Sequence, residues 1–103
     1  MPEKTISHRA ERSRYELRLG DEVVGVADYM REGDRLSFTH TGVDPHLRGQ
    51  GLAGELIEFA LRDARKSKVE VLPYCSYVSH YIAEHPEYLE LVPAEQRRAF
   101  GLD

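Results

Sequence analysis

Residues 48–54, with the sequence Arg-Gly-Gln-Gly-Leu-Ala-Gly, decide how this chain is interpreted. The segment follows a β-rich stretch that ends at Val43, and it opens a stretch whose apolar residues recur with helical period. Glycine lets backbone N–H groups come close to a ligand, and the first N–H groups of a helix have no partner within it. The positive end of the helix dipole also favours anions. The segment therefore predicts a phosphate-binding loop at the start of a helix.

The stretch from Leu52 to Lys66 is the strongest helix signal in the sequence. Its apolar residues fall on one helical face: Leu52, Ala53, Leu56, Ile57, Ala60, Leu61 and Ala64. Acidic residues come early and basic residues late, which suits the helix dipole, and Glu58 and Arg62 are spaced to pair at i,i+4. We expect an amphipathic helix over 52–66.

Three β-rich runs precede the loop, at Tyr15–Leu19, Val23–Met30 and Arg35–Val43. Short turns separate them, so they predict an antiparallel meander. In the third run, alternation places His40 on the same face as Leu36 and Phe38.

Shorter elements are expected after the helix. Val69–Leu72 predicts a strand that lies parallel to the third run, because a strand–helix–strand crossover joins parallel strands. A second helix is expected over Ser76–Glu84, ending before Pro86, and Pro93 favours the start of a final short helix. The predicted fold class is α+β, a mixed sheet with helices packed against it.

Length and composition favour one soluble domain over residues 1–103. No apolar run approaches the roughly 20 residues that cross a bilayer, and the polar N-terminus lacks the apolar stretch of a secretion signal. With a single cysteine, Cys75, the chain is expected in the reducing cytoplasm. A formal net charge of −4 argues against nucleic-acid binding. Arg9, Arg12 and Arg14 are interpreted as a solvated tail.

A dinucleotide-binding fingerprint is the main alternative for the glycine-rich loop. Gly49, Gly51 and Gly54 match G-x-G-x-x-G, and Glu70 lies about 20 residues after its start, where that motif has a ribose-binding acid. The preceding meander argues against this alternative, and so does the short length of chain that follows, since a doubly wound sheet needs more strands.

A second pattern in the same loop resembles the GNAT superfamily of N-acetyltransferases. Arg48-x-x-Gly51-x-Ala53 matches its Q/R-x-x-G-x-G/A motif. Three further segments look like a small stand-alone branch of that superfamily: residues 40–43, 72–78 and 81–88. The resemblance implies a GNAT-like (acyl-CoA N-acyltransferase) fold in which a strand–helix–strand crossover and a C-terminal helix follow the meander. The two helices usual between the first strands are lacking here, because Gly20-Asp21 leaves no room for them.

The resemblance also implies acetyl-CoA, or coenzyme A, as cofactor. Its pantetheine arm would bind along the end of the third run, at Thr41, Gly42 and Val43. The pyrophosphate would receive N–H groups from the loop and helix start, at Gly49, Gln50, Gly51, Leu52 and Ala53, with Arg48 as a charge partner.

Three residues are candidates for catalysis. Cys75 follows the strand end where a thioester would lie, so it is either an acyl-accepting nucleophile or a small buried residue. His40 is either a general base or a core histidine, since imidazole exchanges protons near neutral pH. Tyr81 falls where the general acid of the superfamily would be carried over, and Tyr77, one turn earlier, competes with it.

The sequence therefore predicts an N-acetyltransferase that transfers an acetyl group from acetyl-CoA to an amine, with an amine on a peptide or protein preferred. The alternative is a CoA- or acyl-CoA-binding module with little or no catalysis. No metal is expected, because one cysteine and scattered histidines make no zinc site. The net charge and the lack of a long apolar run likewise argue against a nucleic acid and a membrane as partners. The chain is expected to be a monomer or a weak homodimer.

Overall fold

The computed structural model describes residues 2–102. The strands are β1 (Lys4–Arg9), β2 (Arg14–Leu19), β3 (Glu22–Glu32), β4 (Arg35–Val43) and β5 (Glu70–Pro73). The helices are α1 (Leu52–Ser67) and α2 (Ser76–Glu84). Four short 3₁₀ segments complete the described chain, at Ala10–Arg12, Pro45–Leu47, Pro86–Leu91 and Ala94–Phe100. The last of these is the final short helix that Pro93 led us to expect, and Pro93 is its N-cap residue.

One sheet of five strands, in the order β1-β2-β3-β4-β5, forms the frame of the molecule. The first four strands pair antiparallel, and β5 pairs parallel to β4 after the crossover through α1. The predicted α+β class, the meander and the parallel crossover strand are confirmed. Among residues 2–102, no helix has both the length and the apolar character needed to cross a membrane.

The helix α1 packs its apolar stripe against one face of the sheet. Its buried residues are Leu52, Leu56, Ile57, Ala60, Leu61 and Ala64. On the sheet, Tyr15 and Leu17 face this helix and are buried, and the Tyr15 hydroxyl donates a hydrogen bond of 2.7 Å to Asp63 of α1. Burial and this bond to a carboxylate raise the pKa of Tyr15. The predicted ion pair between Glu58 and Arg62 is present at 3.0 Å.

A bulge in β4 reverses the predicted faces of its second half. Phe38 pairs with Tyr29, but His40 pairs with Asp28, so Thr39 is an extra residue on β4. A shift of one residue moves every later side chain to the other face. Thr41 is therefore buried and His40 is exposed. The prediction that His40 shares the core face of Leu36 and Phe38 is wrong.

The parallel pairing of β4 with β5 ends at Phe38. Phe38 is opposite Pro73 in the last pair of the ladder, and its carbonyl then accepts a hydrogen bond of 2.8 Å from the N–H of Cys75. Beyond this point residues 40–43 continue to pair with β3 only. β5 itself ends at Pro73 and the chain turns into α2, so the edge of β4 over residues 40–43 has no strand paired to it on this side.

The N-terminal segment is an edge strand, so its interpretation as a solvated tail is wrong. β1 pairs with β2 over its whole length. Its Lys4 makes an ion pair of 2.7 Å with Glu55 of α1, and its His8 stacks on Tyr15 with ring centroids 4.1 Å apart. With β1 in place, the connection that replaces the absent helices is the short turn Ala10–Arg12, rather than Gly20-Asp21.

Four arginines enclose the carboxylate of Glu16 on the sheet face opposite α1. The closest are Arg18 at 3.1 Å and Arg9 at 3.4 Å, and the longer contacts are those of Arg14 at 3.6 Å and Arg12 at 3.7 Å. The Glu16 side chain has 0% exposure. Burial by itself raises its pKa, but the hydrogen bonds from Arg18 and Arg9 outweigh burial and hold the pKa of Glu16 below its usual value.

We expect Glu16→Gln to change how stability depends on pH. Because the pKa of Glu16 is lower in the folded chain, its contribution is fully present above the unfolded value of about 4.3 and is lost as pH falls through the folded value. In urea unfolding, wild type should lose more stability than Glu16→Gln between neutral pH and about pH 3. Glu22→Gln, at an exposed position, is the matched control. An equal acid loss in all three proteins would contradict the assignment.

Candidate functional site

A cavity of about 440 Å³ lies beside the end of β4, between this strand, the glycine-rich loop and α2. Its walls are residues 40–43 of β4, residues 47–49 and 51–54 of the loop and first turn of α1, and Tyr77 of α2. The cofactor residues proposed from the sequence are therefore brought together here, apart from Gln50. Leu47 and Gly54 also line the cavity and were not predicted.

The loop enters the helix through two glycines in the left-handed region. Gly49 has φ +84° and Gly51 has φ +74°, and a Cβ on either would meet nothing within 4 Å. Glycine is needed at these positions for backbone conformation, since a side chain would fit in the space. The turn before them is fixed by Asp44, whose carboxylate accepts a hydrogen bond of 3.0 Å from the N–H of His46.

The start of α1 is an open set of N–H donors. Gly51 is its N-cap residue, and no side chain caps the helix. The N–H groups of the first turn thus lack the usual side-chain acceptor, and they point out of a 16-residue helix whose dipole favours an anion there. Arg48 is exposed on the wall of the same cavity. A phosphate group fits this donor set.

The dinucleotide fingerprint is not supported by the contacts of its remaining residues. In that motif the third glycine permits close packing of helix on strand. A Cβ on Gly54 would instead meet a ring carbon of Tyr81, on α2, at an ordinary distance of 3.8 Å. Glu70 makes an ion pair of 3.0 Å with Arg35 across the sheet edge.

His40 lies on the wall of the cavity with its ring over Gly42. A Cβ on Gly42 would be 3.1 Å from His40 Nε2, so the missing side chain leaves the space that the imidazole occupies. His40 is exposed, which excludes its interpretation as a core histidine. Its imidazole is therefore accessible to a molecule in the cavity.

Cys75 is half-buried behind the cavity wall. Its thiol donates a hydrogen bond of 3.4 Å to the hydroxyl of Thr41, and the residue packs against the core. Thr41 lines the cavity, whereas Cys75 is not among the lining residues. The contact joins β4 to the start of α2 across the opening, in agreement with a packing role for the thiol.

Tyr81 and Tyr77 have different environments on α2. The Tyr81 hydroxyl donates a hydrogen bond of 2.9 Å to Glu58, and its ring stacks on His85 at 3.9 Å. Burial and the hydrogen bond to Glu58 raise the pKa of Tyr81, which makes it a weaker acid. Tyr77 is 56% exposed and lines the cavity. Of the two candidates, Tyr77 is the one with access to the cavity.

No group of three or more histidine, cysteine or carboxylate side chains within residues 2–102 is arranged to hold a metal ion. The chemistry available at the cavity is that of backbone N–H donors, one arginine, one imidazole, one phenol and the hydroxyl of Thr41.

A family model described as GCN5-related N-acetyl-transferase matches residues 14–91. Together with the unpaired edge at the end of β4 and the uncapped glycine-rich helix start, this match defines the protein as an acetyltransferase. The chain belongs to the GCN5-related N-acetyltransferase family, so the resemblance noted in the sequence is confirmed.

Two solved structures share the fold. The solution structure of a GCN5-like protein from Staphylococcus aureus superimposes with a TM-score of 0.67 at 20% identity, and the match covers 86% of this chain and 87% of that one. The ribosomal-protein-S18-alanine N-acetyltransferase from Escherichia coli superimposes with a TM-score of 0.55 at 23% identity. That match covers 61% of this chain and 42% of the bacterial enzyme. At these identities both structures support the fold alone.

The two glycines at the start of α1 should respond oppositely to alanine. Gly51→Ala places a Cβ in the left-handed region and should cost about 1 kcal/mol of unfolding free energy. Gly54→Ala adds a Cβ at an ordinary contact within the helix and should stabilise by about 0.5–1 kcal/mol. Urea unfolding of the two variants measures both effects. Destabilisation by Gly54→Ala would mean that close packing requires this glycine, as the dinucleotide motif does.

Proposed function

We propose that this chain, as one minimal domain over residues 1–103, binds acetyl-CoA and transfers its acetyl group to an amine. The observation that carries the proposal is the uncapped start of α1, with Gly49 and Gly51 in the left-handed region, on the same cavity as the unpaired edge at the end of β4. Members of the family use acetyl-CoA, which supplies an acyl group activated as a thioester.

The cavity suits both ends of this cofactor. The N–H groups of residues 49–53 and the guanidinium of Arg48 would bind the pyrophosphate. The edge of β4 over Thr41, Gly42 and Val43 faces the opening, and its pairing partner lies on the other side, in β3. Backbone groups on the free edge would hold the amides of the pantetheine arm as a neighbouring strand would.

An amine on a peptide or protein is the acceptor that this chain suits best. The turn Ala10–Arg12 stands where larger members carry helices that enclose the acceptor, so the approach to the cavity is open. A free small amine would find few walls to hold it. The E. coli enzyme of similar fold acts on an alanine of ribosomal protein S18, which agrees with an acceptor of this class.

The cavity residues divide the proton transfers between them. His40, exposed beside Gly42, would take a proton from the incoming amine. Tyr77 would give a proton to the departing thiolate, because the Tyr81 hydroxyl is already donated to Glu58. Cys75, turned toward Thr41, would shape the opening, and transfer would go directly to the amine without an acyl-cysteine.

Cofactor binding is tested by changing the charge at Ala53, which lines the cavity in the first turn of α1. Ala53→Asp suits the helix dipole but sets a carboxylate where the pyrophosphate would bind, so acetyl-CoA affinity should fall about tenfold or more. Ala53→Asn is the neutral control of equal size. Arg48→Ala should lower affinity about tenfold, or 1.4 kcal/mol.

Calorimetric titration with acetyl-CoA, CoA and NAD in parallel measures these affinities. Binding of NAD without the CoA compounds would reject the proposal in favour of a dinucleotide. Acetyl-CoA binding without transfer to any peptide amine would leave the chain as a CoA-binding module.

The two tyrosines provide a matched pair for the proton donor. Tyr77→Phe should lower kcat on the order of tenfold or more with little change in acetyl-CoA affinity, because only the transfer step uses the hydroxyl. Tyr81→Phe should lower stability through the lost bond to Glu58 and leave kcat near wild type. The measurement is CoA release with a peptide acceptor. The reverse order of effects would assign the acid to Tyr81.

A further inference from the structure

The sheet face opposite α1 carries a basic surface that the proposed reaction does not use. We name it the arginine face; its residues are Arg9, Arg12, Arg14 and Arg18 around Glu16. Strand alternation places Arg14 and Arg18 on that face, because Tyr15 and Leu17 of the same strand point to α1. Arg9 joins them as the cross-strand partner of Arg14, and Arg12 reaches Glu16 from the turn between β1 and β2. The chain as a whole has a net charge of −4, so a concentration of arginines here departs from its overall character.

The arrangement exposes guanidinium groups and hides the carboxylate that they share. Glu16 has 0% side-chain exposure, whereas Arg12 is 62% exposed and Arg9 39%. Two further carboxylates lie at the border: Asp28, 3.0 Å from Arg14, and Glu11, 3.9 Å from Arg9. A molecule that approaches the centre of the face therefore meets positive charge.

The hidden carboxylate also fixes the orientation of the arginines. A guanidinium carries five N–H donors, so four of them have many more donors than Glu16 and Asp28 can accept. The remaining donors are held in place before any partner arrives, because the shared contact with Glu16 already restricts the long side chains. Such preorganisation lowers the entropic cost of binding. Carboxylates are the acceptors that planar guanidinium groups match best in a protein segment.

The arginine face is continuous with the candidate active site. Arg14 pairs across the sheet with Asp28, and Asp28 is in turn directly opposite His40. Residues in such cross-strand positions have neighbouring side chains on one face. The row runs from the arginines to the imidazole on the cavity wall. A peptide chain lying along this row would bring one end to the cavity.

We propose that the arginine face binds acidic residues of the acceptor, so that the enzyme selects amines on acidic peptide segments. The inference rests on the proposed function for the identity of the acceptor and on charge complementarity for its class. Glu16 acts as a positioning residue in this surface. The remaining positive charge favours an acidic segment. Because the arginine face lies beside the edge strand β1, it is open to a flexible chain.

Binding is measured without catalysis by fluorescence anisotropy. Three short peptides of equal length share an N-terminal alanine with a free amine and a C-terminal fluorophore, and differ in carrying glutamate, glutamine or lysine after the alanine. Wild type should bind the glutamate peptide at least about tenfold more tightly than the glutamine peptide, and the lysine peptide most weakly. The preference should shrink as salt is raised, because exposed charges are screened.

Arg12→Glu is the test variant, because Arg12 is the most exposed of the four and has the longest contact with Glu16. It should weaken binding of the glutamate peptide about tenfold. Lys66→Glu makes the same charge change in the last turn of α1, away from the arginine face, and should alter binding less than about twofold. Thermal unfolding and acetyl-CoA titration of both variants check that fold and cofactor site are intact.

Equal affinity of wild type for the glutamate and glutamine peptides would overturn the inference, as would equal losses in the two variants. Tighter binding of a single-stranded oligonucleotide than of the glutamate peptide would overturn it too. These failures are distinct from failure of the proposed function, since normal acetyl-CoA binding in the same samples would leave that function standing.

Discussion

One hydrogen bond determines where this sheet stops being continuous. The N–H of Cys75 donates to the carbonyl of Phe38 at 2.8 Å, immediately after the last parallel pair of β4 and β5. Cys75 is also the residue before α2, so the chain leaves the sheet and enters a helix at this point. The free edge of β4, the start of α2 and the cavity between them all depend on this change of partner.

The bulge at Thr39 decides which side chains border the opening. Without the extra residue, alternation from Leu36 and Phe38 would direct His40 into the core and Thr41 outward. With it, Thr41 is buried against the thiol of Cys75, and His40 reaches the cavity. The extra residue thus adds a titratable side chain to the wall of the cavity, and the lack of a side chain on Gly42 leaves room for the imidazole.

The parts of the fold that were predictable are those with local causes. The helices α1 and α2 and the glycine-rich loop are encoded by apolar period, glycine and proline in the segments themselves. The strand β1 was missed because its sequence is mostly polar and has no clear apolar alternation, and it forms by pairing with β2 along its whole length. The bulge at Thr39 does not disturb the alternation of residue types along the sequence of β4, so this pattern could not predict it. The choice of Tyr77 over Tyr81 depends on Glu58, which belongs to another helix.

Helix α1 covers one face of this sheet, so the side chains on the other face must be compatible with contact with water. An apolar second face would be exposed and prone to association, whereas isolated charges between paired strands would gain little. Here a carboxylate is withdrawn from water and surrounded by the guanidinium groups of four arginines. Burying Glu16 is favourable only because several guanidinium groups share it. Because one carboxylate cannot accept hydrogen bonds from all of these guanidinium groups, their outer N–H donors remain available. The same cluster of side chains therefore makes a surface suited to anions.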